Sequence, residues 1–344
     1  MAIRIAVDAM GGDHAPAVVV EGAVQAVQEA SGALEVLLVG PEATVKAELE
    51  RQGADAGLPI HVVHAEEIIG MDESPATAVK RKRNSSIHVG LGAHKQGHAD
   101  AFISAGNTGA VMAASLFILG RMPSVLRPTL MGFLPSITGQ HSIGVDMGSN
   151  VDCKPEHLVQ FAHMGAIFAE RVLDRKSPRV ALMNIGEEPG KGNEQVKAAY
   201  ELLQAEGQLN FIGNIEGRDL LRFAADVIVF DGFVGNIILK FGESALTTVL
   251  SQLVRDEMQR MNFTPEQAML IKQLLGGIQK RFNYEEYGGA PLLGVMGNVM
   301  IGHGSSTPLA IKNLIATAAR IAESDLVSSI REELQRSEAA RSVE

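Results

Sequence analysis

The chain has 344 residues, of which 46% are hydrophobic and 20% charged, and this composition is typical of a folded globular protein. A net charge of −10, an aromatic content of 4% and the absence of Trp argue against a nucleic-acid-binding surface. The single cysteine, Cys153, excludes an internal disulfide and fits a reducing compartment. No apolar stretch reaches the ~18–20 residues that a membrane span needs, and the chain starts directly with a strand pattern, so we expect a cytosolic protein.

Apolar runs alternate with amphipathic segments along most of the chain. The runs are rich in Val, Ile and Leu without strict polar alternation, which is typical of strands covered on both faces. Their βαβα order predicts a three-layer αβα fold with a large, mostly parallel sheet, and a hairpin within Leu130–Met147 would make that sheet mixed. Because we find no repeats or linkers, we predict one α/β domain over residues 1–336 and a polar tail at 337–344. The predicted strands are Ile3–Asp8, Leu34–Val39, Ile60–His64, Ala101–Ser104, Leu130–Leu134, Ser142–Asp146, Val180–Ile185, Asn210–Ile212 and Val227–Phe230, and the predicted helices are Val18–Ala30, Ala43–Gln52, Thr108–Leu119, Pro155–Leu173 and Asn193–Ala205.

Helical character dominates after the ninth strand. The segment at about 240–283 predicts a protruding helical hairpin. Within it, the run Thr264–Gln267 places a Thr at the N-cap, a Pro at the first helical position and a Gln two residues further on, which is a start signal for a new helix. The run Thr307–Pro308 repeats this signal at the start of the last predicted helix.

Glycine-rich loops follow four of the predicted strands, at Asp8–Pro16, Ser104–Gly109, Asn184–Lys191 and Asp231–Asn236. In parallel α/β folds such loops line a crevice at the carboxyl ends of the strands, where free N–H groups and helix dipoles favour anions, especially phosphate. Each loop alone is more often an ordinary turn or cap, but the four together, with Lys191, favour an anionic ligand. None has the GxxxxGK[ST] or GxGxxG spacing of nucleotide-binding loops.

A metal site is one alternative for the first loop. Asp8, Asp13 and His14 resemble a ligand set, as do Asp146 and Asp152. No His or Cys cluster has zinc spacing, and carboxylates at strand ends also serve as caps for loop amides. We therefore predict no metal and no other cofactor.

Two further residues are candidates for chemistry. Cys153 stands just ahead of a helix, which could activate its thiol, although a buried packing role is the simpler interpretation. His303, on a glycine-flanked turn beside Ser305, is a candidate general acid or base, and a plain hydrogen-bonded His is the alternative.

Two surface features suggest partners. The basic run Lys80, Arg81, Lys82 and Arg83 on an acidic protein suits docking of an acidic partner, with a solvated helix face as the alternative. Apolar residues near the hairpin tip suggest a dimer contact or insertion into a membrane interface, with core packing as the alternative. These tip residues are Met258, Met261, Phe263, Met269 and Leu270.

Six motifs in order resemble one known family over nearly the whole chain. They read DAMGGDHAP, SAGNTGA, NIGEEPGKGNE, NFIGNIEGRD, DVIVFDGFVGN and GGAPLLGVMGNVMIGHGSS. They resemble the bacterial phosphate acyltransferases of phospholipid synthesis. The resemblance implies a fold like that of phosphotransacetylases and isopropylmalate dehydrogenases, and the transfer of a fatty acyl group from acyl carrier protein to inorganic phosphate. It also implies a homodimer, peripheral contact with the inner face of the cytoplasmic membrane, and a downstream acyl phosphate:glycerol-3-phosphate acyltransferase as a partner.

For this reaction we hypothesise direct transfer without a covalent acyl-enzyme. The candidate catalytic residues are Lys191 and Asn236 for holding phosphate, and Asp231 or His303 for handling protons. Asn107 and Asn214 are candidate donors to the developing oxyanion. Two rivals stay open, namely a metal- and NAD-dependent decarboxylating dehydrogenase of the same fold and a non-catalytic membrane scaffold. The candidate phosphate- and substrate-binding residues are Asp8, Gly11, Gly12, His14, Ser104, Gly106, Asn107, Thr108, Gly109, Glu187, Asn214, Gly232, Gly235 and Ser305.

Overall fold

The structure is a computed structural model, and it describes residues 2–54, 57–245, 250–261, 263–282 and 284–341. The chain divides into two compact units. The first unit comprises the chain up to Met131, Ile167–Lys176 and the chain from Glu285, and the second comprises Gly132–Ala166 and Ser177–Tyr284. The single domain over residues 1–336 stays a prediction.

Strands and helices alternate along most of the chain. The strands are β1 Ile3–Asp8, β2 Leu34–Gly40, β3 Ile60–His64, β4 Ala101–Ser104, β5 Thr129–Pro135, β6 His141–Val145, β7 Arg179–Met183, β8 Asn210–Ile215, β9 Val227–Val229, β10 Ala290–Leu293 and β11 Val299–Ile301. The helices are α1 Ala17–Glu29, α2 Glu42–Arg51, α3 Pro75–Arg81, α4 Ser86–Lys95, α5 Thr108–Ile118, α6 Pro155–Leu173, α7 Glu194–Ala205, α8 Gly232–Glu243, α9 Leu250–Arg260, α10 Pro265–Arg281, α11 Pro308–Glu323 and α12 Leu326–Arg341.

The first unit has the strand order β3-β2-β1-β4-β11-β10-β5. The strands from β3 to β11 in this order are parallel, whereas β10 is antiparallel to both β11 and β5. Strand β4 is fully buried because helices cover it, and Phe102 at its centre lies so close to α4 that a Cβ at Gly90 would overlap its ring. The continuous apolar runs of the sequence are therefore explained by strands without a solvent face.

The second unit has the strand order β5-β6-β9-β7-β8, in which β6, β9, β7 and β8 are parallel. Strands β5 and β6 are neighbours joined by a turn in which the Ser136 N–H donates to the Gln140 carbonyl (3.1 Å), as the predicted hairpin requires. The core of this unit includes Phe230, Ile228 and Met183, against which α8 packs Ile238 and Leu239.

The prediction of a mixed α/β fold with a large sheet is confirmed, and so are the nine predicted strands, apart from shifted ends. Strands β10 and β11 are missed, because each is short and lies in a glycine-rich stretch without a periodic signal. Two predicted helix starts are observed: the Thr264 hydroxyl and the Gln267 side chain accept each other's backbone N–H groups (3.3 and 2.9 Å), and the Thr307 hydroxyl caps α11. Helix α12 runs to Arg341, five residues into the predicted polar tail.

One histidine ties the missed strand β11 to helix α4. The Asn298 N–H, just before β11, donates to His94 Nε2 (2.9 Å), so the proton of the neutral ring lies on Nδ1 and is donated to the Ala99 carbonyl (2.9 Å). Burial lowers the pKa of His94 below its ordinary value, against the opposing effects of the Ala99 carbonyl and Asp100. A neutral His94 is therefore part of the folded core.

Candidate active site

The predicted loops lie at the carboxyl ends of parallel strands, in two groups. The first and second loops follow β1 and β4 in the first unit, and the third and fourth follow β7 and β9 in the second unit. Carboxyl ends of parallel strands are where α/β folds bind ligands. That all four loops line one crevice stays a prediction, and each group is described by itself below.

A buried carboxylate organises the first-unit loops. Asp8 is 2% exposed and accepts hydrogen bonds from the Ser104 hydroxyl (2.7 Å) and the Met10 N–H (3.1 Å), while the Gly106 N–H donates to the Ser104 hydroxyl (3.0 Å). Burial raises the pKa of Asp8 above its ordinary value, although hydrogen bonds from Ser86, Ser104 and Met10 favour its charged form. Asp8 thus holds two glycine loops together.

The two loops pack so closely that only glycine fits between them. A Cβ at Gly11 would stand 2.7 Å from both the Asp8 carboxylate and the Gly106 nitrogen, and Gly12 has a φ of +115°. The sequence prediction that these glycines allow close backbone approach agrees with this geometry. His14, on the same loop, is exposed.

Asn107 uses its side chain within the fold. Its oxygen caps α5 by accepting from the Ala110 N–H (3.0 Å), and its Nδ2 donates to the carbonyls of Met71 and Glu73 (3.0 Å each). Thr108 is exposed in the first turn of α5, and a Cβ at Gly109 would meet Pro75 at 2.6 Å. Asn107 therefore positions the first turn of α5.

The missed strand β11 explains the position of His303. The Gly302 N–H donates to the Ser104 carbonyl (2.9 Å) and the Gly304 carbonyl accepts from the Asp13 N–H (2.8 Å), so the turn after β11 adjoins both other loops of this unit. His303 is exposed, and its Nδ1 accepts from the Ser305 N–H (3.3 Å) and contacts the Ser305 hydroxyl (2.8 Å). This arrangement places the proton of a neutral His303 on Nε2.

A second buried carboxylate supports the start of α8 in the second unit. Asp146, fully buried, accepts from the backbone N–H groups of Gly148 (3.2 Å), Ser149 (3.0 Å) and Asn150 (2.7 Å). The loop it shapes packs against the first turn of α8, where the Gly232 N–H donates to the Asn150 carbonyl (2.8 Å). The sequence identified Asp146 only as one member of an unlikely ligand set.

Glycine is required twice in that turn of α8. A Cβ at Gly235 would overlap the Asp146 carbonyl oxygen, and one at Gly232 would stand 2.7 Å from the Asn150 carbonyl oxygen. Asp231 caps the helix by accepting from the Val234 N–H (2.9 Å), and Asn236 is exposed one turn along. The Asp231 carboxylate and the Asn150 carbonyl accept from two of the four N–H groups that lack a partner inside the helix, and the helix dipole still favours an anion at this end.

Two buried amides hold the turn that carries Lys191. The Asn184 Nδ2 donates to the Lys191 carbonyl and the Asn214 Nδ2 donates to the Glu188 carbonyl, both at 3.1 Å, and these are the two ends of the turn Glu188–Lys191. Asn184 is 9% and Asn214 is 7% exposed, whereas Lys191 is exposed. We call Asn184 and Asn214 the amide clamp. Of the described residues, none donates to the buried Oδ1 of Asn214.

The sequence did not reveal the amide clamp. It predicted Asn214 as a substrate-binding residue and placed Asn184 at the end of a strand. No local signal could reveal it, because its two partners are carbonyl oxygens seven and 26 residues away. Glu187, on the same loop, is exposed and pairs with Arg218 at 3.4 Å.

Cys153 lies beside the loop that Asp146 shapes. The Cys153 thiol donates to the Asn150 carbonyl (3.4 Å) and so joins the loop that supports α8. Across the part of the chain that the structure describes, no group of three or more His, Cys, Asp or Glu residues is placed to hold a metal ion.

The basic run is divided by the fold. Lys80, Arg81 and Arg83 are exposed at the C-terminal end of α3 and just after it. Lys82 instead forms an ion pair with Glu73 (2.5 Å) and donates to the Ile68 carbonyl (2.7 Å). Three of the four predicted docking cations therefore face solvent.

The predicted tip residues are also divided. Met258 and Phe263 line a groove of about 400 Å³ between α9 and α10, whereas Met261, Met269 and Leu270 are 60–66% exposed. Of the helices in the described ranges, none combines the length and apolar character that crossing a bilayer requires.

Comparison with known structures defines the class of fold. A phosphotransacetylase from Streptococcus pyogenes is similar with a TM-score of 0.62, over 94% of this chain and 95% of its own, at 20% identity. A branched-chain phosphotransacylase from Enterococcus faecalis V583 has a TM-score of 0.58, over 94% of this chain and 99% of its own, at 13% identity. At these identities the likeness shows the fold alone, and the predicted phosphotransacetylase-like fold is confirmed.

Comparison of sequences defines the family. Residues 3–329 match the family of fatty acid synthesis proteins, so the chain belongs to that family. A phosphate acyltransferase of Salinibacter ruber is 54% identical over 98% of this chain and 99% of its own, and one of Heliobacterium modesticaldum is 47% identical over 96% and 98%. The resemblance found from the six motifs is confirmed, and the chain is an acyltransferase of fatty acid and lipid synthesis.

Proposed function

We propose that this acyltransferase moves a fatty acyl group from acyl carrier protein to inorganic phosphate, giving acyl phosphate for phosphatidic acid synthesis. The observation that carries the proposal is the pair of glycine-rich loops at the carboxyl ends of β7 and β9 in the second unit, whose motifs resemble those of the family. There the turn that carries Lys191, held by two buried amides, and a glycine-constrained helix start stand at the ends of the neighbouring parallel strands β7 and β9. Such an edge suits a phosphate that must be held without a nucleotide or a metal.

In the proposed reaction a phosphate oxygen attacks the thioester carbonyl carbon, the C–S bond breaks, and the proton of hydrogen phosphate ends on the departing thiolate. Lys191 and Asn236 hold the phosphate, and Asp231 or His303 relays the proton. The first-turn N–H groups of α5 stabilise the oxyanion, whereas Asn214, whose Nδ2 donates to the Glu188 carbonyl, contributes by holding the turn of Lys191. The Asn107 Nδ2 already donates to two backbone carbonyls, so its proposed contribution is to orient the first turn of α5 rather than to donate directly to the oxyanion.

The central experiment incubates the protein with palmitoyl-acyl carrier protein and phosphate, and measures acyl phosphate and free thiol. With a palmitoyl group that carries a label, we expect acyl phosphate and free thiol in equal amounts and no label bound to the protein. Trapping of an acylated Ser or Cys153 would overturn direct transfer. Turnover that needs NAD and is abolished by a chelator would favour the dehydrogenase alternative, and vesicle binding without any turnover would favour a scaffold.

Three interactions belong to the same proposal. Lys80, Arg81 and Arg83 steer the acidic carrier protein, since exposed charges mainly raise the rate of encounter. The exposed apolar residues Met261 and Leu270 rest in a membrane interface, where an acyl phosphate is delivered to a downstream acyltransferase. We also propose that the protein is a homodimer. Light scattering of the purified protein tests this, and a monomer mass at micromolar concentration would contradict it.

A further inference from the structure

Helix α8 exposes a row of large apolar side chains. Phe233, Ile237 and Phe241 follow one another at four-residue intervals, so they lie on one side of the helix, and they are 58%, 52% and 73% exposed. The other side of α8 packs Ile238 and Leu239 into the core of the second unit. A surface helix normally turns a polar face to solvent, so this row, here called the α8 stripe, indicates a binding surface.

The α8 stripe begins at the candidate site. Phe233 lies in the first turn of α8, between Gly232 and Gly235, which are pressed against the loop that Asp146 shapes. Val151, the residue after that loop's contact with Gly232, adds a further side chain that is 57% exposed. From Phe233 the stripe extends about 12 Å along the helix axis, at the ~1.5 Å rise of an α-helix.

The stripe ends in charge. Lys240 and Glu243, in the last turn of α8, pair at 3.5 Å. The helix therefore presents an apolar row that begins beside the candidate site and ends at a charged pair. This order matches a ligand with a polar reacting head joined directly to an alkyl chain.

We infer that the α8 stripe holds the fatty acyl chain of the substrate, with the thioester at the first turn of α8. The inference rests on the proposed function and adds the location of the chain. The width of the surface favours this occupant: a row one side chain wide fits one alkyl chain, whereas a stable protein interface needs about 800 Å² per partner.

The test compares acyl-carrier proteins charged with hexanoyl and palmitoyl chains. Because a short chain contacts only the beginning of the stripe, Ile237→Ala and Phe241→Ala should lower the preference for palmitoyl over hexanoyl, measured as the ratio of kcat/KM, by about tenfold. Phe241→Leu, which restores an apolar side chain, should recover most of that preference. Phe117→Ala is the matched control, because Phe117 is 68% exposed on α5 in the first unit and should leave the ratio unchanged.

The outcomes separate this inference from the proposed function. Absence of acyl phosphate with the wild-type protein would overturn the proposed function. Acyl phosphate formation with an unchanged chain-length ratio in both stripe variants would leave the function standing and overturn the inference. If the stripe variants keep the chain-length ratio but lose vesicle binding, the stripe contacts a membrane. If they keep the ratio but change in molecular mass, the stripe contacts a second copy of the chain.

Discussion

Replacing Asn184 with Ala removes one arm of the amide clamp and leaves Lys191 in place. The Lys191 carbonyl then loses its 3.1 Å hydrogen bond, while the Asn214 arm still holds the Glu188 end of the turn. Lys191 itself is exposed, so its conformational freedom is limited mainly by the backbone that carries it. We expect the variant to fold and to bind phosphate more weakly.

The magnitude follows from the strength of one buried hydrogen bond. Such a bond contributes about 1 kcal/mol net, and loss of that amount lowers the equilibrium constant for the binding geometry of the turn about fivefold. An apparent dissociation constant rises by the inverse of the populated fraction, so the KM for phosphate should rise by up to about fivefold. Lys191→Ala removes a charged contact and should raise it by ~10–100-fold.

The assay is a double-mutant cycle on the KM for phosphate, with Asn184→Ala, Lys191→Ala and the double variant. If the clamp acts through Lys191, Asn184→Ala has little further effect once Lys191 is gone. An equal, additive increase in both backgrounds would refute the reasoning. Asn210→Ala is the control, because the Asn210 amide also donates to a distant backbone carbonyl, that of Ser177 (2.9 Å), but at the opposite end of β8.

Four other changes test separate parts of the structure. Lys80→Glu combined with Arg81→Glu should raise the KM for acyl carrier protein and flatten its salt dependence, and an unchanged KM would remove these residues from the docking surface. Met261→Glu should reduce co-sedimentation with anionic lipid vesicles, because a charged side chain is costly in an apolar interface; equal sedimentation would mean that the residue is not an anchor. Burial lowers the folded-state pKa of His94, so the unfolded state binds a proton at this residue more readily than the folded state does. The free energy of unfolding should therefore fall as the pH drops below 6.5. Urea titrations at about pH 7.5 and about pH 5.5 should show this loss in the wild type and a smaller loss in His94→Gln. Gly235→Ala should lower the free energy of unfolding by about 3 kcal/mol, because its methyl group would overlap a backbone carbonyl, and a denaturation midpoint equal to the wild type would contradict that packing.

Local signals made much of the fold predictable. The runs of Val, Ile and Leu mark strands because both faces of each strand are covered, and that requirement is written into every residue of the run. The capping Thr residues at 264 and 307 mark helix starts because the partner N–H lies three residues away. The same reasoning fails for β10 and β11, which are strands only because neighbouring strands offer them hydrogen-bond partners.

The sequence by itself therefore determined the class of fold, the family and the set of glycine-rich loops, since these depend on patterns within short stretches of chain. Tertiary structure alone decided how individual polar side chains are used. Lys82 forms an ion pair with Glu73. The Asn107 amide donates to backbone carbonyls, and the Asn184 amide donates to the Lys191 carbonyl and so holds that turn. In each case the hydrogen-bond partner is set by which backbone groups folding brings within about 3 Å, and no spacing along the chain encodes that distance.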